Sequence, residues 1–137
     1  MFTIENFTRP YIPDISTFSD IIIGKGAISE NELEDYIYNP NFFCKIIIDQ
    51  LTFTHGFIAC EIIENKGVLS VAGAKDSIIS SHFEFLLLTS CIEEFQKRGI
   101  HLIETIVSDK QKENQTLINA LIKTGFQEIE PNIFIKK

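Results

Sequence analysis

Residues 99–126 read GIHLIETIVSDKQKENQTLINALIKTGF, and this stretch decides the fold. Leu102–Val107 is a nearly continuous apolar run, which is the pattern of a short strand buried on both faces. Asn114 predicts the start of a helix, because an Asn side chain satisfies free backbone amides there. Apolar residues then recur at helical spacing until Gly125, which predicts the end of that helix. A buried strand followed by an amphipathic helix indicates an α/β fold.

The residues before this stretch predict a long helix preceded by three strands. Ser80 or Ser81 is the predicted cap of that helix, which runs to Arg98 and ends at Gly99 as a left-handed cap. β-Branched and aromatic residues predict strands over Phe43–Ile48, Phe53–Ile63 and Val68–Val71. The turn at Glu64–Gly67 places glycine where we expect a positive φ.

The two ends of the chain complete the element order. The first forty residues are predicted to be mostly helical, with one helix from Asp14 to Gly24 and another opened by a capping box at Ser29. The end of the chain predicts a strand pair around Pro131. The fold class is therefore α/β (α+β), a mixed central sheet flanked by helices, in a single domain covering residues 1–137.

Composition and charge indicate which kinds of molecule this protein is expected to bind. The 137 residues carry a formal net charge of −7, which repels a phosphate backbone and argues against nucleic acid. The charge agrees weakly with a cationic substrate such as an amine. No apolar run approaches the ~20 residues of a membrane span, and the first residues do not resemble a signal peptide. We therefore expect a cytoplasmic protein that does not bind membranes.

The three cysteines, Cys44, Cys60 and Cys91, lie in apolar surroundings without the short spacing of a zinc site. No other Cys/His or carboxylate/His group has metal spacing, so no metal is predicted. We expect reduced, buried thiols. A disulfide between Cys44 and Cys60 on neighbouring strands is the alternative.

Three short motifs resemble the GNAT N-acetyltransferases. His55–Ala59 is similar to the start of the third strand of that family, and Lys97–Ile100 to the end of its long helix. Asn114 precedes Phe126 of the terminal Gly-Phe by twelve residues, as in family members. The resemblance covers roughly residues 15–135 and implies the acyl-CoA N-acyltransferase fold, with acetyl-CoA as co-substrate.

The family holds the pyrophosphate of acetyl-CoA on a glycine-rich loop at the start of the long helix, where amides point at the phosphates. Here no glycine stands at the expected place. The resemblance instead implies a binding site for acetyl-CoA near the start of this helix and beside the preceding strand. The residues it implies for cofactor binding are Val71, Gly73, Ser81, His82, Phe83 and Asn114. In the alternative interpretation, Ser81 and Asn114 are ordinary helix caps and His82 is an exposed first-turn residue.

The catalytic groups are less defined. The family often uses a Tyr five residues before the terminal Phe to meet the leaving thiolate, and this position is Leu121. The titratable candidates for a base near the implied cleft are Glu61, Asp76, His82 and Glu104. Glu104 is favoured because burial in an apolar strand would raise its pKa, although such a Glu also occurs at solvated edges. His55 is interpreted as a strand residue.

Two hypotheses remain. The chain is an acyl-CoA-dependent N-acetyltransferase acting on a small-molecule or peptide amine by direct transfer, or it is an inactive GNAT-like module that binds a ligand or a protein. Fold alone does not decide between them. A homodimer formed through a sheet edge is a further hypothesis.

Overall fold

The computed structural model describes residues 2–22, 24–26, 28–74, 82–113 and 115–137. Its strands are β1 (Phe2–Asn6), β2 (Phe42–Asp49), β3 (Thr54–Ile63), β4 (Lys66–Ala74), β5 (Leu102–Ile106), β6 (Gln127–Glu130) and β7 (Ile133–Lys136). Its α-helices are α1 (Ile12–Ile22), α2 (Glu30–Tyr38), α3 (Phe83–Lys97), α4 (Asp109–Lys112) and α5 (Gln115–Lys123). None of these helices combines the length and apolar character needed to cross a bilayer.

The strands form one mixed sheet in the order β1-β2-β3-β4-β5-β7-β6. The first four are joined antiparallel, β4 and β5 are parallel, and β5, β7 and β6 are again antiparallel. A parallel pair needs a crossover, and α3 supplies it. The α/β class with a mixed sheet flanked by helices is confirmed.

Apolar side chains pack on both faces of the sheet. On one face, α1 and α2 contribute Ile15 and Leu33 to a cluster that includes Phe57 of β3. On the other face, α3 and α5 pack against the sheet, with Phe95 of α3 fully buried. The predicted capping box at Ser29 is present, because its hydroxyl accepts from the Glu32 amide and the Glu32 carboxylate accepts from the Ser29 amide.

Strand β1 was absent from the sequence-based prediction, which treated the first forty residues as mostly helical. It pairs antiparallel with β2, with Phe2 opposite Asp49. Only five residues long, it carries too short an alternating pattern to be recognised alone. Its pairing partner lies some forty residues away, so local sequence does not reveal it.

The expected positive φ at Gly67 is also wrong. The turn between β3 and β4 has Glu64 and Asn65 at φ 50° and 65°, as in a two-residue hairpin, whereas Gly67 already lies within β4. A Cβ at Gly67 would lie 2.7 Å from a ring carbon of Phe95. Glycine is therefore required here for the close approach of α3. The predicted left-handed glycine at Gly99 is confirmed by its φ of 78°.

The cysteines are free and buried. Cys44 belongs to the cluster under α1 and α2, and Cys60 to the cluster under α3. These two side chains point to opposite faces of the sheet, which excludes the alternative disulfide between them. The Cys60 side chain is instead hydrogen-bonded to Cys91 of α3.

Candidate functional site

A cleft opens where the parallel strands β4 and β5 separate. Their ladder runs from the pair Lys66–Leu102 to the pair Leu69–Thr105 and, in the described residues, ends there. Beyond that point β4 continues to Ala74 in partnership with β3. The chain after β5 turns away, since the Val107 amide donates to the carbonyl of Asn132 at 2.9 Å. One edge of β4 therefore faces the cleft instead of a neighbouring strand.

Ser70 marks the start of this separation. Ala59 of β3 lies opposite Val71, and the next residue, Cys60, lies opposite Leu69. Ser70 is thus an extra residue in β4, a β-bulge, and its side chain is exposed. Bulges redirect side chains and occur often beside active sites.

The cleft has mainly aliphatic walls and three polar groups. It is lined by Ile58, Leu69, Ser70, Leu88, Thr105, Ile106, Val107, Gln111, Leu117 and Leu121. Its volume is about 30 Å³, room for about two water molecules. The three polar groups are the side chains of Ser70, Thr105 and Gln111.

Two of the six residues implied for cofactor binding lie on the separated part of β4. The backbone of Val71 pairs with Ala59 and that of Gly73 with Phe57, both beyond the last pair with β5. Three other predicted residues, Ser81, Asn114 and Asp76, lie outside the described residues. Their roles stay predictions.

His82 and Phe83 stand at the start of α3. His82 is the exposed N-cap residue and makes no capping bond with its side chain. The buried Phe83 ring packs against Phe2 at 4.8 Å and His55 at 5.9 Å between centroids, away from the cleft. Phe85 is partly exposed, with Lys123 over its ring. Neither phenylalanine lines the cleft, so neither obstructs it.

Glu61, His82 and Glu104, the predicted bases that the structure describes, are not among the residues that line the cleft. Glu104, opposite Val68 in the ladder, forms an ion pair with Lys66 at 3.2 Å and is not among the lining residues. Nε2 of His55 is hydrogen-bonded to Oδ2 of Asp49 at 2.9 Å. This hydrogen bond is the main reason why the pKa of the Asp49 carboxyl is lowered. Within the described ranges, no group of three or more His, Cys, Asp or Glu is arranged to hold a metal ion.

Leu121 occupies the wall of the cleft. It is 1% exposed and lies beside Leu117 of the same helix. The position at which the resembling family often carries a Tyr therefore does face the cleft here, but as an aliphatic residue. Leucine has no proton to donate.

Tyr36 contacts a residue that lines the cleft. It lies on α2, half-buried, and its side chain is hydrogen-bonded to that of Ser70 at the cleft. Burial is the main cause that raises the pKa of Tyr36 to about 12, and the nearby Glu61 contributes in the same direction. No local motif signals this contact, because it depends on how α2 crosses the sheet.

The sequence matches no protein-family model and no curated protein sequence. Solved structures do match. An acetyltransferase of the GNAT family from Staphylococcus aureus Mu50 superposes with a TM-score of 0.80 at 16% identity, over 99% of this chain and 98% of that one.

Two further solved structures give the same result. The PaiA N-acetyltransferase from Thermoplasma acidophilum, in complex with coenzyme A, has a TM-score of 0.77 at 16% identity, over 98% of this chain and 96% of that one. The aminoglycoside 6′-N-acetyltransferase from Enterococcus faecium has a TM-score of 0.77 at 16% identity, over 98% and 96%. This chain has the fold of the GNAT acetyltransferases.

Proposed function

We propose that this protein is an acyl-CoA-dependent N-acyltransferase, with acetyl-CoA as the acyl donor and an amine as the acceptor. The observation that carries the proposal is the cleft between β4 and β5, into which one edge of β4 faces from Ser70 onward. The likeness to a structure that contains coenzyme A supports it. The cleft is also unobstructed by Phe83 and Phe85.

The chemistry of the cleft fits the pantetheine arm of coenzyme A. That arm is a thin chain with two amide groups separated by methylenes. The edge of β4 offers backbone N–H and C=O groups with which such amides pair as an added strand does. Leu69, Leu88 and Leu117 offer apolar surface for the methylenes.

The start of α3 is the proposed place for the phosphates. The first amides of a helix lack partners within the helix, and its dipole favours anions there. The exposed side chain of His82 is available next to these amides, since it makes no capping bond. Ser81 and Asn114 complete the proposed contacts.

We propose an amine acceptor that approaches from the side of the sheet that α1 and α2 cover. Glu61, near Tyr36, supplies a carboxylate to hold an ammonium group, and Glu104 stays a second candidate for the base. The structurally similar enzyme from Enterococcus faecium is, by its name, an acetyltransferase that acts on aminoglycosides.

One observation favours a second function. The side chain of Leu121 at the wall of the cleft has no acidic proton that it could donate to a leaving thiolate. A protein that binds acyl-CoA without transferring the acyl group would have no use for an acid there. The alternative is therefore a ligand-binding module of the same fold.

The experiment that tests the proposal is calorimetric titration with acetyl-CoA and with CoA. We expect saturable binding and, at 100 times the dissociation constant, stabilisation by about 2.7 kcal/mol. Ile106→Trp fills the mouth of the cleft from a position that is 66% exposed, and we expect affinity to fall at least about tenfold. Ile129→Trp is the matched control, a strand isoleucine 55% exposed outside the cleft.

Absence of binding at millimolar acetyl-CoA would refute both functions. Binding followed by acetylation of a member of a primary-amine panel, detected as released thiol, supports the transferase. Binding of the cofactor without release of thiol above the uncatalysed rate, for every amine in that panel, would favour the ligand-binding module.

A further inference from the structure

The three polar side chains that line the cleft differ in whether they still have a proton to donate. They belong to Ser70, Thr105 and Gln111. Thr105 donates its hydroxyl proton to the carbonyl of Leu69 at 3.3 Å. Burial raises the pKa of Tyr36 and its hydrogen bond with Ser70 opposes that rise, so Ser70 is the donor in this bond. A hydroxyl has one proton, so neither Ser70 nor Thr105 has another for a ligand.

Gln111 is the polar residue of the cleft that keeps protons to donate. Its backbone amide donates to Oγ of Ser108 at 3.1 Å, and its Oε1 accepts from the Ser108 amide at 2.9 Å. This reciprocal pair is a capping box at the start of α4. Because the Ser108 amide engages the oxygen, the NH2 group is the free end of the side chain, with two protons. Among the described residues, Nε2 of Gln111 has no hydrogen-bond partner.

Helix α4 is held in place by the hairpin of β6 and β7. Oδ1 of Asp109 accepts from Nδ2 of Asn132 at 2.7 Å, and Lys112 forms an ion pair with Glu128. The same carboxylate of Glu128 accepts from the Asn132 amide at 2.9 Å. Contacts on both sides of Gln111 therefore fix the backbone from which its side chain reaches the cleft.

We propose that Nε2 of Gln111 donates a hydrogen bond to a carbonyl oxygen of the bound acyl donor. The inference rests on the proposed function. An acyl-CoA has a thioester carbonyl and two pantetheine amide carbonyls, and each is an acceptor that an NH2 group matches. Between aliphatic walls such as those of Leu88 and Leu117, a carbonyl without a partner is costly. The free NH2 group of Gln111 removes that cost and so favours the acyl donor over an apolar molecule of the same shape.

Gln111→Glu removes the donor and keeps the local structure. A carboxylate oxygen accepts from the Ser108 amide as Oε1 does, since Glu and Gln both serve at this position of a capping box. Gln111→Met is neutral and of similar length, so it separates loss of the donor from the added negative charge. Gln115→Glu is the matched control, because it adds the same charge at the exposed first residue of α5, which does not line the cleft.

The measurement is the dissociation constant of acetyl-CoA and of CoA by calorimetry, with urea denaturation of each variant to confirm that it folds. We expect both Gln111 variants to bind acetyl-CoA about three- to tenfold more weakly, as for the loss of one hydrogen bond. Gln115→Glu should stay within about twofold of the wild type. CoA has no thioester carbonyl and so identifies the acceptor. A loss for acetyl-CoA alone assigns the thioester carbonyl, and an equal loss for both ligands assigns a pantetheine carbonyl.

The remaining outcomes contradict the inference in distinguishable ways. If acetyl-CoA does not bind to the wild type, the proposed function and this inference both fail. If acetyl-CoA binds to the wild type and Gln111→Met keeps the same affinity, the inference fails while the proposed function stands. The same holds if Gln111→Glu weakens binding no more than Gln115→Glu does. Where Gln111→Met does not fold, because it breaks the capping box, Gln111→Glu and its control decide the question.

Discussion

At the residue scale, the absence of one side chain controls how closely α3 approaches the sheet. Gly67 lies in β4 directly under the Phe95 ring, at a distance that leaves no room for a methyl group. The sequence places glycine in a turn there, and a turn glycine usually signals a positive φ. The glycine is required instead by helix α3, which passes over the strand and lies some thirty residues later in the chain.

We expect Gly67→Ala to lower the free energy of unfolding by about 1–3 kcal/mol, because overpacking forces the buried Phe95 ring to shift. Urea denaturation measures the change. Phe95→Leu introduced together with Gly67→Ala should recover part of the loss, since the two substitutions act on one contact. Equal stability of Gly67→Ala and the wild type would contradict this account of the glycine.

Tyr36 illustrates the same limit of prediction for the site. Its place on the helix opened by the capping box is predictable, and so is a strand near Ser70. The contact between the two is not, because it depends on the crossing of α2 over the sheet and on a bulge that no turn residue announces. Leu121, by contrast, faces the cleft where the family resemblance implied that its position would.

At the element scale, a charged network fixes the end of α3 to the sheet. Glu94 of α3 binds Lys45 of β2 at 3.1 Å and Arg98 at 3.0 Å. Arg98 also donates to the carbonyl of Pro40 and lies over the Phe43 ring. Burial alone would raise the pKa of Glu94, but the hydrogen bonds from Arg98 and Lys45 outweigh it, so the pKa is lowered.

We expect Glu94→Gln to lower the free energy of unfolding by about 1 kcal/mol at pH 7. A carboxyl whose pKa is lowered by folding contributes stability above its unfolded value, near 4.5, and loses it as the pH falls through the folded value. The difference from the wild type should therefore shrink below about pH 4.5. Glu93→Gln, at the exposed neighbouring position, is the control, and its free energy of unfolding at pH 7 should stay within about 0.5 kcal/mol of that of the wild type.

The elements show why long segments are predicted better than short ones. The long helix α3 and the strands of the meander have periodic patterns of eight or more residues. Strand β1 and helix α4 have five and four residues. Patterns that short are shared by loops, and only pairing or packing with distant residues makes them regular.

At the scale of the whole molecule, the three thiols report on global unfolding. Cys44, Cys60 and Cys91 are at most 3% exposed. Burial is the main cause that raises the pKa of Cys44 and of Cys60 well above the ordinary value. Reaction with a thiol reagent requires both access and the thiolate, so it must wait for the core to open.

A protein reduced beforehand should therefore expose no fast-reacting thiol when native, and three in denaturant. An Ellman assay measures both values. Labelling of the native protein should follow the rate of unfolding measured independently by fluorescence. A thiol that reacts within the mixing time would contradict the burial of that cysteine.

The short ladder between β4 and β5 has a consequence for the integrity of the sheet. Four residue pairs join the antiparallel half formed by β1–β4 to the half formed by β5–β7, and the ladder then stops although β4 continues for five residues. The centre of the sheet therefore has a gap beside the second half of β4. A molecule bound along this edge would take the place of the missing length of strand and would itself complete the sheet. Amide hydrogens in the second half of β4 would record that completion as slower exchange with solvent.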